Sequence, residues 1–158
     1  MTVILRPTRA DELEILDAMD RQDHANQYVI QTGIEQHRKN FNDPDITYLC
    51  IENSRGELCG YFILVIEAGG KSVEFRRILI DRDRRGIGQT AITEMETYCQ
   101  RQWQLDRIWL DVYEDNEIGR HIYQKMGYVP AGETCFEGRK LLFFAKTFEH
   151  SAESYRAG

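Results

Sequence analysis

Residues 78–89 read Ile78-Leu79-Ile80-Asp81-Arg82-Asp83-Arg84-Arg85-Gly86-Ile87-Gly88-Gln89. An apolar strand pattern runs into an arginine-rich turn, and a Gly-x-Gly then opens a helical pattern. Glycines let a backbone approach a ligand closely. The free N–H groups and dipole of the helix start favour an anion there. Arg84 and Arg85 can add charge-assisted bonds to phosphate oxygens. The plain alternative is a solvated basic turn capped by glycines; the strand before it and the strong helix after it favour the phosphate site. A second constellation is Asn116 and Tyr123. They lie seven residues apart, about two helical turns, and so share one face. A tyrosine there can donate a proton. Its plain alternative is a half-buried ring with a satisfied hydroxyl. Asn116 can also serve as an N-cap.

The elements that must position these groups follow from periodicity. Residues 3–6 read as a first strand. Asp11 then stands as an N-cap before Leu13, Ile15, Leu16 and Met19, spaced for one helix face. Residues 27–41 read as a loop plus a second helix. Residues 46–52, 58–67 and 73–80 form strands, separated by turn chemistry at residues 53–56 and at Gly69-Gly70, and make an antiparallel meander. Residues 88–103 are a helix with Ala91, Ile92, Met95, Cys99 and Trp103 on one side. Residues 107–112 are a strand, 116–126 a helix that Gly127 can close, and 128–132 and 140–148 two more strands. The order β-α-α-β-β-β-α-β-α-β-β predicts a mixed α/β sheet of about seven strands flanked by helices. Its crossover from 73–80 to 107–112 should be parallel.

Composition bounds the class. The chain has 158 residues, 42% hydrophobic and 29% charged, which fits one globular domain. We expect that domain over residues 1–148, with a polar tail at 149–158. No apolar run has membrane-spanning length, and residues 1–6 lack the features of a secretory signal. The cysteines Cys50, Cys59, Cys99 and Cys135 form no C-x-x-C pair, so reduced thiols in the cytoplasm are expected. The four histidines show no metal-ligand spacing, and no metal is expected. Net charge is −6, which argues against nucleic acid as a partner. Residues 76–89 hold five Arg and two Asp, or +3, so the rest of the chain carries −9.

Gly86-x-Gly88-x-x-Ala91 also matches a dinucleotide fingerprint, with Asp111 following 25 residues after Gly86. That fingerprint uses a tight turn straight off the first strand of its unit. Here five polar residues separate Ile80 from Gly86, and three strands precede this one.

The other match is a family. Arg84-Arg85-Gly86-Ile87-Gly88 resembles the pyrophosphate loop, Q/R-x-x-G-x-G/A, of the GNAT superfamily of N-acetyltransferases. Asp115-Asn116-Glu117-Ile118-Gly119-Arg120-His121-Ile122-Tyr123-Gln124-Lys125-Met126-Gly127-Tyr128 resembles its N-x-x-A-x-x-x-Y-x-x-x-G-F helix. Leu5-Arg6-Pro7-Thr8 followed by Asp11 resembles its usual opening. Asp83 stands where the family has Gln or Arg, Gly119 where Ala is common and Tyr128 where Phe is common.

The resemblance implies acetyl-CoA as cosubstrate. Backbone groups of Ile78, Leu79 and Ile80 would pair with the pantetheine arm. The N–H groups of Arg84, Arg85, Gly86, Ile87, Gly88 and Gln89 would cradle the pyrophosphate. Asn116 would contact the pantetheine end, and Tyr123 would stand near the sulfur as proton donor. Backbone N–H near Leu79 could stabilise an oxyanion. An amine acceptor has a pKa of about 10.4, so a base helps at neutral pH; Glu74 and Asp111 are the two candidates. The reaction class is acetyl transfer to a primary amine, directly in a ternary complex. A non-catalytic acyl-CoA-binding sensor is the alternative. Asp111, Glu114, Asp115 and Glu117 form an acidic stretch without a base, which predicts a cationic small-molecule or peptide amine as acceptor. The resemblance also leaves a homodimer open.

Overall fold

The computed structural model describes residues 2–22, 32–81, 84 and 86–149. Seven strands form one mixed sheet: β1 (Val3–Pro7), β2 (Ile46–Asn53), β3 (Leu58–Glu67), β4 (Ser72–Ile80), β5 (Arg107–Tyr113), β6 (Val129–Phe136) and β7 (Arg139–Thr147), in the order β1-β2-β3-β4-β5-β7-β6. The helices are α1 (Leu13–Asp20), α2 (Ile34–Asn42), α3 (Gly88–Gln102) and α4 (Glu117–Lys125). Among the described residues no helix is long and apolar enough to cross a membrane. The chain falls into two compact units, Met1–Val65 with Phe75–Tyr98, and Ile66–Glu74 with Cys99–Gly158.

In the first unit β1, β2 and β3 pair antiparallel, with Leu5 opposite Ile51 and Leu49 opposite Phe62. Period-two alternation puts Tyr48, Tyr61 and Ile63 on one face, where they pack with Leu13, Leu16 and Met19 of α1 and Leu79 of β4. Phe62 points the other way and meets Phe75 edge-on, 5.5 Å between centroids. Phe75 and Leu79 share parity yet lie on opposite faces. The alternation of β4 therefore changes phase between them, as a bulge does.

The predicted start of α1 needs correction. Asp11 is not its cap. It lies in a 3-10 turn, Ala10–Glu12, and the side chain of Glu12 reaches back to accept from Arg9 N at 2.8 Å. Ile15 is exposed, and the buried stripe is Leu13, Leu16, Asp17, Met19 and Asp20. Two carboxylates thus stand where apolar residues were expected, because polar partners from other elements meet them there. Of the second predicted helix region, the described part gives α2, with His37 as its one buried side chain. Residues 27–31 lie outside the described part.

In the second unit β4 and β5 pair parallel from Ser72–Arg107 to Glu74–Trp109, as the crossover rule requires. β5 pairs antiparallel with β7, Asp111 opposite Phe143. Ile108, Leu110 and Val112 alternate inward. Residues 133–139, left between the strands expected at 128–132 and 140–148, instead continue the β6–β7 hairpin to the turn at Glu137–Gly138, where both φ values are positive. The misread segment begins at a register shift between Pro130 and Gly132, which breaks the alternation a sequence pattern relies on.

Glu12 ties the first unit together near its N-terminus. It is buried, receives Arg6 through both carboxylate oxygens at 2.8 and 2.7 Å, and Arg6 also donates to Glu52 at 2.7 Å. These bonds from Arg6 hold the Glu12 carboxyl at about 2, below its ordinary 4.5. A depressed carboxyl stabilises the fold above pH 4.5, and that contribution is lost as pH falls towards 2. Glu12→Gln should lower stability at neutral pH by about 2–3 kcal/mol. Its stability should also decline less than wild type between pH 4.5 and 2, measured by denaturant melts across that range.

Candidate active site

The phosphate-loop residues belong to the first unit. Gly86 has φ of +98°, which only glycine adopts without strain. Gly88 has no such backbone requirement, and a Cβ built on it would meet no atom of the described protein within 4 Å. Neither packing nor conformation demands glycine there, so the open space fits a ligand lying against the backbone. Ile87 is buried and anchors the turn. The first helical bond of α3 runs from Ala91 N to Ile87 O at 2.9 Å, so the N–H groups of Gly88, Gln89 and Thr90 precede it. Free N–H groups at a helix start are the kind that favour an anion.

The arginines are less available than the sequence suggested. Arg84 donates to Glu57 at 2.8 Å, so a phosphate must compete with a carboxylate for it. Glu57 is held below its ordinary carboxyl range by Asn53 and then by Arg84. Arg77, counted in the basic segment, is drawn into the interior. Arg82 and Arg85 lie outside the described residues. Ile78 and Ile80 are half-buried on β4, whereas Leu79 is buried in the α1 core. The strand is continued by Asp81 N donating to Cys59 O at 2.8 Å.

Arg77 leads to a group of residues that no sequence spacing revealed. Asp20 is 1% exposed. One of its oxygens accepts from Tyr61 OH, the other from His37 Nε2 at 2.7 Å and from Arg77 at 3.1 Å. His37 Nδ1 meets Tyr48 OH at 2.6 Å, and Tyr48 stacks on Tyr61 with rings 8° from parallel. Ligand-type atoms of Asp17, Asp20 and His37 lie within 4.8 Å of one another. Arg77 and Arg21, which holds Asp17 at 2.6 Å, already supply two positive charges against the two carboxylates. The group is a charge-balanced network, and burial raises the Tyr61 phenol above its ordinary range. The bonds that Asp20 and His37 make to other elements join residues 11 to 57 apart, so no local pattern announces them.

The proposed proton donor belongs to the second unit. Asn116 caps α4 by accepting from Gly119 N at 2.9 Å. A Cβ at Gly119 would sit 2.7 Å from the Asn116 amide nitrogen, which accounts for glycine where the family pattern has alanine. Gly127 closes the helix at φ of +96°, donating to Gln124 O at 3.1 Å. Tyr123 is half-buried on the same face as Asn116, its ring edge-on to the buried Tyr128. Burial, and then the charge of Asp111, pushes its phenol up to about 12. It therefore keeps its proton at physiological pH.

The two candidate bases differ in setting. Asp111 is exposed on β5 and near enough to act on Tyr123 through its charge. Glu74 is half-buried on β4 beside Trp109, whose ring nitrogen donates to Glu67 at 2.7 Å. The acidic stretch is partly compensated from β7. Asp115 pairs with Arg139 at 2.9 Å and Glu114 with Lys140 at 3.3 Å. Arg139 is 24 residues from Asp115 and Lys140 is 26 from Glu114, so no local window shows the compensation. His121 is exposed, and Cys99 is buried, as its place in the apolar stripe of residues 88–103 predicts.

Residues 11–128 match the family described as "Acetyltransferase (GNAT) family". Among solved structures, the chain is similar to the spermidine N-acetyltransferase of Vibrio cholerae in complex with CoA and spermine. Identity is 19%, the alignment covers 92% of this chain and 95% of that one, and the TM-score is 0.80. It is also similar to a mutant of that enzyme, at 20% identity, 92% and 93% coverage and TM-score 0.78. A dodecameric form of the enzyme gives 19% identity, 92% and 93% coverage and TM-score 0.74. At this identity the structural likeness concerns the fold.

The glycine turn makes a separable prediction. Gly88→Val should fold with a melting temperature near wild type, because its side chain enters open space. Calorimetry should show CoA affinity reduced at least about tenfold, since a β-branched group then blocks close backbone approach. Arg82→Ala should weaken CoA less, because neighbouring arginines cover the charge. NAD should bind neither protein.

Proposed function

The chain belongs to the acetyltransferase (GNAT) family, an N-acetyltransferase using acetyl-CoA, and from that premise we propose how its own residues act and what they act on. Acetyl transfer is direct, with donor and amine bound together. The N–H groups opening α3 hold the pyrophosphate, with Arg85 and Arg84 adding charge as Arg84 leaves Glu57. Ile78, Leu79 and Ile80 offer backbone groups to the pantetheine arm, and Asn116 contacts its far end. Acetyl-CoA supplies the activated acyl group. Glu74 or Asp111, directly or through water, takes the proton that the amine must lose.

Tyr123 carries this reading. It donates its proton to the departing thiolate. Burial disfavours every anion at that spot, so it raises the phenol and a neighbouring thiol in the same direction and keeps the transfer between them accessible. Capping of α4 by Asn116 and closure by Gly127 fix the helix that presents it.

The acceptor is a cationic primary amine of the polyamine class. The similar Vibrio cholerae enzyme is a spermidine N-acetyltransferase seen with spermine, and the chain outside the arginine loop carries −9. Arg139 and Lys140 reduce the local pull, so the preference should be graded rather than absolute. Free thiols at all four cysteines fit a cytoplasmic setting. Self-association fits an edge strand, β6, whose eight residues are all exposed.

Two measurements test this. Tyr123→Phe should lower kcat by roughly 10²-fold, with acetyl-CoA affinity nearly intact. A kcat within about threefold of wild type, where chemistry limits turnover, would return Tyr123 to a packing role. For the acceptor, kcat/KM should rise along a series of amines of increasing positive charge, and the rise should shrink at high salt. A flat series, or a preference for neutral or acidic acceptors, would remove the cationic assignment alone.

A further inference from the structure

Alternation along β5 buries Ile108, Leu110 and Val112 on one face of the sheet and turns Trp109 and Asp111 to the other. Register fixes what stands beside them. Glu74 of β4 is directly across from Trp109, and Phe143 of β7 is directly across from Asp111. The two rings meet at 6.0 Å between centroids. Both are only half-buried, and Asp111 is exposed. The two carboxylates named as candidate bases thus flank an indole and a phenyl ring on one face, all within the second unit.

The Trp109 ring is held in place. Its Nε1 donates to Glu67 Oε1 at 2.7 Å, and the same oxygen accepts from Ser72 Oγ at 3.0 Å. A carboxylate on the indole N–H fixes the orientation of the ring and adds negative charge at its edge. Of the side-chain rings, the face of an indole attracts a cation most strongly. A neighbouring ring on this face of the sheet already carries one: the Arg139 guanidinium lies 3.7 Å from the centroid of Tyr113. Among the described residues no cation lies over Trp109. The matching ligand has positive charge for the indole and the carboxylates and a hydrocarbon stretch for Phe143. An anionic ligand would meet Glu67, Glu74 and Asp111, and a neutral apolar one would leave them unanswered.

We infer that Trp109, with Phe143 beside it, is the surface that binds and selects the acceptor: the carbon chain of a di- or polyamine lies across the two rings, with a non-reacting ammonium over the indole face and the reacting nitrogen towards Glu74 or Asp111. Glu67 is a positioning residue that acts through Trp109. The inference rests on the acetyltransferase reading above and on its cationic acceptor. It adds the side chains that do the selecting. It also predicts that two charges on one chain are preferred to one, because only a second ammonium occupies the indole.

The test uses the full chain with Trp109→Leu, Trp109→Phe, Glu67→Ala and the double variant Glu67→Ala/Trp109→Leu. Each is assayed for kcat and KM with spermidine, with a diamine and with a monoamine of the same carbon number, beside calorimetry with acetyl-CoA. Trp109→Leu should raise KM for spermidine and the diamine about tenfold, as loss of a partly desolvated cation–π contact does. Its kcat should stay within about threefold of wild type, and acetyl-CoA affinity should not change. KM for the monoamine should rise less. Trp109→Phe keeps a ring with a weaker face and should recover part of the loss; if Trp109→Leu does not fold, Trp109→Phe carries the same comparison. Glu67→Ala should raise KM in the same direction and add nothing in the double variant. Unchanged KM for every acceptor in the Trp109 variants overturns the inference. So does an equal rise for monoamine and polyamines, which marks packing rather than recognition of a second charge. Additive losses in the double variant overturn the role of Glu67. Wild-type protein that acetylates no amine would instead overturn the acetyltransferase reading, and a wild-type preference for neutral or acidic amines the cationic acceptor, each taking this inference with it.

Discussion

A carboxylate placed deep inside a protein must be matched or it will unfold the site that holds it. Asp20 sets that constraint for the first unit. It sits at the end of α1 and is answered by Tyr61 from β3, His37 from α2 and Arg77 from β4, with Tyr48 of β2 completing the ring of partners. Five elements are fixed by one charge. Apolar packing would tolerate small shifts of α1 or α2. The bonds to Asp20 tolerate few, because losing one leaves a buried ion unpaired. The network also decides the fate of Arg77. Read along the chain, it belongs to a basic segment ahead of a phosphate loop. Held by Asp20, it becomes a structural cation on β4, directly before Ile78.

The chemistry of the chain is divided between kinds of group as well as between units. In the proposed reading, anion binding in the first unit rests on backbone: a glycine at positive φ, a second glycine facing open space, and the N–H groups ahead of the first bond of α3. Side-chain charge is secondary there, since Arg84 is already paired. The proton donor proposed in the second unit is one side chain, Tyr123, whose phenol is raised by burial and then by Asp111. The short helix beneath it is defined at both ends by local devices, the Asn116 cap and the Gly127 closure. Gly119 is part of the first device, because the cap amide occupies the space an alanine would need. A departure from the family pattern thus has a cause within six residues of itself.

Much of this was legible in the sequence. Strand alternation, helical spacing and the Gly-x-Gly turn each act over a few residues, so they fixed all seven strands and the helices that carry Gly88 and Tyr123. Asn116 as a cap and Gly127 as a terminator are equally local. Errors arose where a distant partner changed the meaning of a residue. Asp17 and Asp20 replaced Ile15 on the buried face of α1, because Tyr61, His37 and Arg77 from other elements meet Asp20 and Arg21 holds Asp17. The β6–β7 hairpin was cut short because a register shift at Pro130 hid its alternation.

The sequence by itself determined the family and the order of elements, because these depend on spacing along the chain. Only the tertiary structure decided which charges remain available. It neutralised Arg77 with Asp20, Arg84 with Glu57 and part of the acidic stretch with Arg139 and Lys140. Charge pairing depends on distance in space, and the partners here are up to 57 residues apart. No window along the chain contains both members of such a pair.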